Sequence, residues 1–407
     1  MLKEKQLPAG LAPFENVPSS LVRAANQTQA LPSALGLGSS RKLSSTTSQS
    51  NRKRKGRGKR PKIMDEPYAG LTEEQWTARV IQARSRLEDI LSHPTFRKRQ
   101  EGKQRRPRGI VIPAGGNVLL TNAFMVISVL REMHRCTLPI EVFYNGAREM
   151  DEKTNHYFES RFKNVTLFDL STAPYPSHHR RIPIDHYTFK AYAFYHSSFD
   201  QVLLLDADSI PLRDPEYLYD TPQFLEAGHL NWPDWWYDNL PGFGWPLEAY
   251  ALFGLAPPQM GPHVLQGSEA GQTLLDRRRH WEVLEWYWFA NTHGPDGLYK
   301  WMWYDKEALQ LAFSLAGRAD LYHQVTRYPR EALCKGPATL REYAHVGILQ
   351  HDPYGRPAFL HQAGSLQKFD PSKDFPYQPN FVSVPLNQLR AIKLFPDAGA
   401  QPKVQGI

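Results

Sequence analysis

The run Gln201-Val-Leu-Leu-Leu-Asp206-Ala-Asp208-Ser-Ile-Pro constrains this chain more than any other stretch. Four apolar residues in a row, Val202 to Leu205, predict a strand buried on both faces, the kind found inside a mainly parallel sheet covered by helices. Ligands of open α/β sheets collect outside the carboxyl ends of the strands, and here two carboxylates one residue apart stand at that end. Hard oxygen donors in that place suit a divalent cation bridging a diphosphate. The competing reading is a strand stopped by an ordinary Asp/Ser/Pro turn. By itself, Asp-x-Asp does not separate the two.

The residues upstream supply the rest of such a sheet. Gly109-Ile-Val-Ile112 predicts a short strand ending in Pro-Ala-Gly115-Gly116. A helix follows over about 119–133, with Leu120, Ala123, Phe124, Ile127 and Leu130 on one face. Ile140 to Tyr144 reads as a second strand, 150–162 as a polar helix after the Asn145-Gly146 turn, and Val165 to Phe168 as a third strand. His186 to Tyr195 then forms a helix leading into the strand that carries Asp206. Strands alternating with helices give an α/β fold with right-handed crossovers. The Gly115-Gly116 turn would let the backbone approach a nucleotide closely. Neither the G-x-G-x-x-G spacing nor a G-x-x-x-x-G-K-S/T loop occurs, which argues against hydride-transfer and P-loop enzymes.

Charge excludes one class of partner. The net charge of +8 is matched by eight basic residues between Arg52 and Lys62, so the rest of the 407-residue chain is formally near neutral and no nucleic-acid partner is expected. Residues 1–66 mix Pro, Ser, Gln and Gly without apolar period and read as a disordered basic arm. Within 67–108, Thr72-Glu-Glu-Gln75 is a capping box opening a helix through Trp76, Val80, Ala83, Leu87 and Leu91, which Pro94 stops. That helix is expected to pack outside the catalytic core, with Arg97 to Arg108 as a basic linker. Residues 371–407 form a Pro-rich extension. No stretch reaches the roughly 18–20 apolar residues of a membrane span, and the amino terminus has no signal-peptide core. The sequence as written reads as soluble. Cys136 and Cys334 are either buried thiols or one disulfide. The acceptor patterns at Asn26 and Asn164 matter only in the secretory pathway, and the second falls at a strand.

An ordered series of motifs suggests a family. Gly109-Ile-Val-Ile-Pro-Ala-Gly-Gly, Cys136-Thr-Leu-Pro-Ile-Glu-Val, Leu203-Leu-Leu-Asp-Ala-Asp-Ser-Ile-Pro-Leu-Arg-Asp-Pro, Asn231-Trp-Pro-Asp-Trp-Trp, Glu269-Ala-Gly-Gln272, Tyr304-Asp305-Lys-Glu, Gln350-His-Asp-Pro and Phe359-Leu-His361 together resemble the fungal Golgi α-mannosyltransferases of glycosyltransferase family 71. The resemblance covers about 109–370. It implies a GT-A-type, Rossmann-like mixed sheet, a nucleotide-sugar donor such as GDP-mannose, retention of anomeric configuration, a mannan or protein-linked glycan as acceptor, and a Golgi location. One departure is the absence from this sequence of the amino-terminal membrane anchor usual in that family.

The chemistry of that reaction asks for particular side chains. A departing diphosphate needs a cation, and Asp206 and Asp208 are the carboxylate ligands for Mn²⁺ or another divalent ion. His361-Gln-Ala-Gly364 with Lys368 is similar to the segment by which related retaining transferases complete the metal site and hold the diphosphate; imidazole beside carboxylates favours Mn²⁺. For His361 the alternative is a hydrogen-bonded histidine at a strand end, and for Lys368 a solvated lysine. Lys190 reaches either a phosphate or an acidic partner. Gly115, Gly116 and Gln272 complete the donor-side set. Glu269, beside Gly271, and Asp305, at a helix start, are the carboxylates expected at the transferred sugar, with a helix cap as the plain alternative for Asp305. Asp234 lies among Trp232, Trp235, Trp236 and Trp245, which suit either sugar stacking or a core. Arg277 to His280 reads as a solvated helix start. A same-fold transferase using a UDP-sugar and a non-catalytic carbohydrate-binding or nuclear protein are the alternatives, and a complete Asp206, Asp208, His361 set argues against the last.

Overall fold

The computed structural model describes residues 72–362 apart from 102–105, 180–181, 185–187, 235–246, 256–266, 294–297, 301, 303–304 and 336–342. The basic arm, the Pro-rich extension, Lys368 and three of the tryptophans named above (Trp235, Trp236, Trp245) lie outside the described residues.

Six strands build the central sheet: β1 (Arg106–Pro113), β2 (Ile140–Tyr144), β3 (Val165–Asp169), β4 (Phe199–Leu205), β6 (His229–Pro233) and β7 (Ser268–Asp276). Their order is β3-β2-β1-β4-β7-β6; the first four run parallel, and β7 is antiparallel to both neighbours. A second sheet, ordered β5-β10-β9-β8, joins β5 (Ser209–Pro211), β8 (Arg330–Lys335), β9 (Tyr343–His351) and β10 (Pro357–His361), all antiparallel. The expected architecture, a mixed and mainly parallel sheet with helices on both faces, is the one observed.

Strand parity explains both faces. On β4, Val202 and Leu204 enter one buried cluster while Leu203 and Leu205 enter the other. The first cluster receives α1 (Glu73–Ser92), α5 (Thr188–His196), α7 (Leu247–Leu252), α8 (Trp281–His293) and α9 (Asp305–Leu315). The second receives α3 (Gly116–Ser128), α4 (Glu152–Arg161) and α6 (Pro222–Ala227). An uninterrupted apolar run is what a strand covered on both sides requires.

Three expectations need correcting. The capping box is present, with Gln75 N–H donating to Thr72 Oγ1 and Thr72 N–H to Gln75 Oε1, but α1 does not stand outside the core. Trp76, Val80, Leu87 and Leu91 are buried in the first cluster with α8, and each such side chain contributes about 1.5–3 kcal/mol. Nor is Arg97–Arg108 a linker. Pro94 ends one helix by starting the next, α2 (Pro94–Glu101), where its missing N–H costs nothing. Arg106 and Arg108 already belong to β1, paired with Glu141 at 2.9 Å and Asp220 at 2.7 Å. Finally, Arg277 and His280 are buried. The Arg277 guanidinium donates to the carbonyls of Tyr195, Ser197 and Phe199, closing the carboxyl end of α5, and His280 Nε2 meets Ala227 O at 2.7 Å. Cys136 is a buried free thiol, pushed up to about 12 mainly by burial.

Candidate active site

The chain leaves the central sheet at Leu205 and enters the second sheet at Ser209, so Asp206-Ala-Asp208 is the crossing between them. Backbone bonds fix that crossing on both sides. Asp206 N–H donates to Gly271 O of β7 at 2.8 Å, and Gln362 N–H donates to Asp208 O at 2.9 Å. Antiparallel pairing of β10 with β5 sets His361 opposite Ser209. Two residues close in sequence are thereby joined by one more than 150 positions away, and ligand atoms of Asp206, Asp208 and His361 all lie within 4.8 Å of one another.

His361 is oriented from both sides of its ring. Nδ1 lies 3.1 Å from Glu269 Oε1 and Nε2 lies 3.4 Å from Asp208 Oδ1. Glu269 is itself held by the N–H groups of Ala270 and Gly271 at 2.8 and 2.9 Å. Burial works against charge on His361, but the carboxylates of Glu269 and Asp208 outweigh it and hold the ring well above its ordinary value. Burial would raise Glu269; His361 and the Gly271 amide bring it down to about 2. A carboxylate on one ring nitrogen fixes which tautomer the other presents, a frequent arrangement behind metal-ligating histidines.

Lys190 of α5 makes the matching bridge on the other side. Its Nζ lies 2.7 Å from Asp206 Oδ2, 3.2 Å from Asp305 Oδ2 and 3.2 Å from Ala270 O. Burial opposes its charge, yet Asp206 and Asp305 keep it well above the usual lysine value. Asp206 is pushed up by burial and by Asp208, against the pull of Lys190. The acidic partner offered as an alternative for Lys190 is therefore present, and it is the candidate metal ligand itself. Lys190, Glu269, Asp305 and Lys306 line one crevice with Asn231, Thr273 and Tyr287.

The donor set fits a divalent cation. Asp206, Asp208, Glu269 and Asp305 face Lys190 and His361, an excess of buried negative charge. The Nε2 to Oδ1 separation of 3.4 Å matches neighbouring ligand atoms around an ion with bonds of about 2.1–2.4 Å.

Other expected residues fall less directly. Gln272 is fully buried on β7 and accepts from Ser209 Oγ at 2.9 Å, which ties the two sheets together beside Asp208. The room left by Gly271 goes to His361: a Cβ there would sit 2.7 Å from Nδ1, so the glycine admits the imidazole, not the donor. At Gly115 a Cβ would collide with Glu149 at 2.0 Å, whereas Gly116, at φ +71°, opens α3 with free space around it. Trp232 is fully buried against Phe359 and donates to His351 O, so it is core and not a sugar platform. Asp234 pairs with Lys306. Lys306 escaped the sequence reading, although its place beside Asp305 in Tyr-Asp-Lys-Glu was the available signal.

Sheet order and the Asp206–Asp208–His361 grouping describe an α/β protein with a candidate metal site where the chain leaves its central sheet. A family model described as a mannosyltransferase matches residues 107–244. The α-1,2-mannosyltransferase MNN22 of Candida albicans is 23% identical over 223 residues, covering 47% of this chain and 37% of that protein. The α-1,2-mannosyltransferase MNN2 of Saccharomyces cerevisiae is 23% identical over 218 residues, 47% of this chain and 36% of the other. Over part of its length the chain is thus similar to fungal α-1,2-mannosyltransferases, and it spans under two fifths of the length of these relatives. A solved structure of a galactosyltransferase, LgtC, aligns over 51% of this chain and 70% of its own at 17% identity and a TM-score of 0.35, too slight a likeness to add to the strand order.

Proposed function

We propose that this chain is a retaining, metal-dependent α-mannosyltransferase that moves mannose from GDP-mannose to a mannan or a protein-linked glycan, in the Golgi. The observation that carries the reading is the convergence of Asp206, Asp208 and His361, with Glu269 locked behind the histidine. Bound there, Mn²⁺ would supply the positive charge that a leaving diphosphate requires.

The chain's own groups do the rest. Asp206 and Asp208 offer carboxylate oxygens, and His361 offers Nε2 while Nδ1 stays with Glu269. Lys190, placed between Asp206 and Asp305, can turn its ammonium toward a phosphate without leaving its carboxylates. Asp305 and Glu269 stand on the walls of the same crevice, where ionised carboxylates favour positive charge developing on a sugar ring. Gly116, Gly115 and Lys368 complete the donor side in this reading. A second reading, transfer from a UDP-sugar, differs only in the base and sugar recognised.

The test is nucleotide release by purified protein with Mn²⁺, across GDP-mannose and a panel of UDP-sugars, beside Asp208→Ala. Release of GDP from GDP-mannose that disappears in the variant is expected. Turnover by Asp208→Ala equal to that of the parent would remove the metal assignment, and turnover confined to a UDP-sugar would select the second reading.

A further inference from the structure

His178, His179 and Glu285 form a second cluster that shares no residue with the crevice above. Ligand atoms of all three lie within 4.8 Å of one another, the same criterion met by Asp206, Asp208 and His361. Both imidazoles aim Nε2 at a single oxygen, Glu285 Oε2, at 2.8 and 2.7 Å. The other oxygen is already engaged: Tyr195 Oη of α5 donates to Oε1 at 3.0 Å and Gln100 of α2 stands 3.4 Å away. One lone-pair face of the carboxylate is therefore held in place while the other points between two histidines.

The surroundings are dry and apolar. His179 stacks on Trp288 and His178 meets Phe96 edge-on. The side chains of Glu285 and His179 are each 2% exposed, and that of His178 is 11% exposed, leaving one approach from solvent. Around the Glu285 carboxylate stand the two imidazoles, the Tyr195 hydroxyl and the Gln100 side-chain amide. A carboxylate and two imidazoles gathered in a dry pocket offer three donor atoms to one cation. Neutral imidazoles are the form in which histidine binds metal.

We propose that His178, His179 and Glu285 bind a zinc ion, with a solvent molecule as the fourth ligand beside His178. Two imidazole nitrogens and a carboxylate oxygen are a donor set zinc accepts, and bonds of about 2.0–2.2 Å place tetrahedral ligand atoms roughly 3.4 Å apart. The two contacts to Glu285 Oε2 have to open by about half an ångström, a shift that the loop bearing both histidines can absorb. The ion would pin that loop to α8, and through Tyr195 and Gln100 to α5 and α2. The same loop, through Tyr175, lines a cavity of about 350 Å³ against Tyr192 and His196 of α5. Its function is to hold His178 and His179 against α5, the helix that carries Lys190.

The experiment uses the full chain carrying Asp208→Ala, which disables the other metal cluster. Zinc is added, excess is removed by gel filtration, and bound metal is read by mass spectrometry; about one equivalent per chain is expected. Adding His178→Ala should reduce this to background, with circular dichroism showing that the fold is kept. X-ray absorption on the zinc-loaded Asp208→Ala protein needs no change in the cluster and should show two imidazole nitrogens among the nearest neighbours. Cobalt in place of zinc should give the intense visible bands of a four-coordinate ion. The proposal is overturned if folded Asp208→Ala protein retains no zinc, if His178→Ala retains as much, or if absorption shows no imidazole; the cluster would then be a hydrogen-bonded knot without metal.

Discussion

At the scale of single residues, the candidate site depends on side chains that touch one another before they touch any substrate. In the proposed reading Glu269 acts on the metal position through His361, so Glu269→Gln should weaken Mn²⁺ binding about 10- to 100-fold, measured by titration of the free ion's magnetic resonance signal. Gly271→Ala makes the same point by sterics: the new methyl at 2.7 Å displaces the imidazole, and Mn²⁺ affinity should drop together with a moderate fall in melting temperature. Unchanged affinity in both variants would mean that His361 is not a ligand. Asp305 has a different role in this reading. Asp305→Asn should lower kcat by about 100-fold or more while calorimetric binding of GDP with Mn²⁺ stays near the parent value. Loss of that binding with normal turnover would move Asp305 to the nucleotide.

At the scale of elements, the sequence showed what is local and hid what is made by distant packing. The Val202 to Leu205 run, short and ended by an Asp/Ser/Pro turn, read as a doubly buried strand, and β1, β2 and β3 followed from turn signals between short apolar runs. The Asp206, Asp208, His361 grouping was legible only as an order of motifs, since the pairing of β10 with β5 that brings them together leaves no periodic trace. Arg277 and His280 were misread because Arg-Arg-Arg-His looks solvated; the carbonyls that bury Arg277 belong to α5 and β4, some 80 positions earlier. Likewise, His178 and His179 carry no metal spacing of their own. The clue was Glu285, an acidic residue inside the otherwise apolar Trp-Tyr-Trp-Phe helix. Arg277 offers an element-level test. Arg277→Met strands three carbonyls at the end of α5 and should cost roughly 3 kcal/mol in denaturant unfolding. A loss under about 1 kcal/mol would show that water can replace the guanidinium.

At the scale of the whole molecule, several buried histidines share one consequence. Burial lowers His280 and His351 from 6.5 to about 4, and His229 well below 6.5. The unfolded chain takes up protons that the native state cannot, so stability is full above pH 6.5 and is lost as pH falls toward 4. The loss should be on the order of 3 kcal/mol for each of His280 and His351 once protonation is complete. Calorimetry across that interval should show melting temperature falling steadily, and a flat profile would contradict it. The crossing of the chain from one sheet to the other at Asp206-Ala-Asp208 has a further effect. Each sheet could form with its own strands slipped by a residue, yet only the correct alignment of both brings two carboxylates and an imidazole to one point. An ion captured there reads two independent alignments at once, so a misassembled molecule would be recognisable by its inability to load. On the proposed reading a metal bound there would report correct folding as well as serve the reaction, and the fraction of a preparation that takes it up would measure how much of it has threaded correctly.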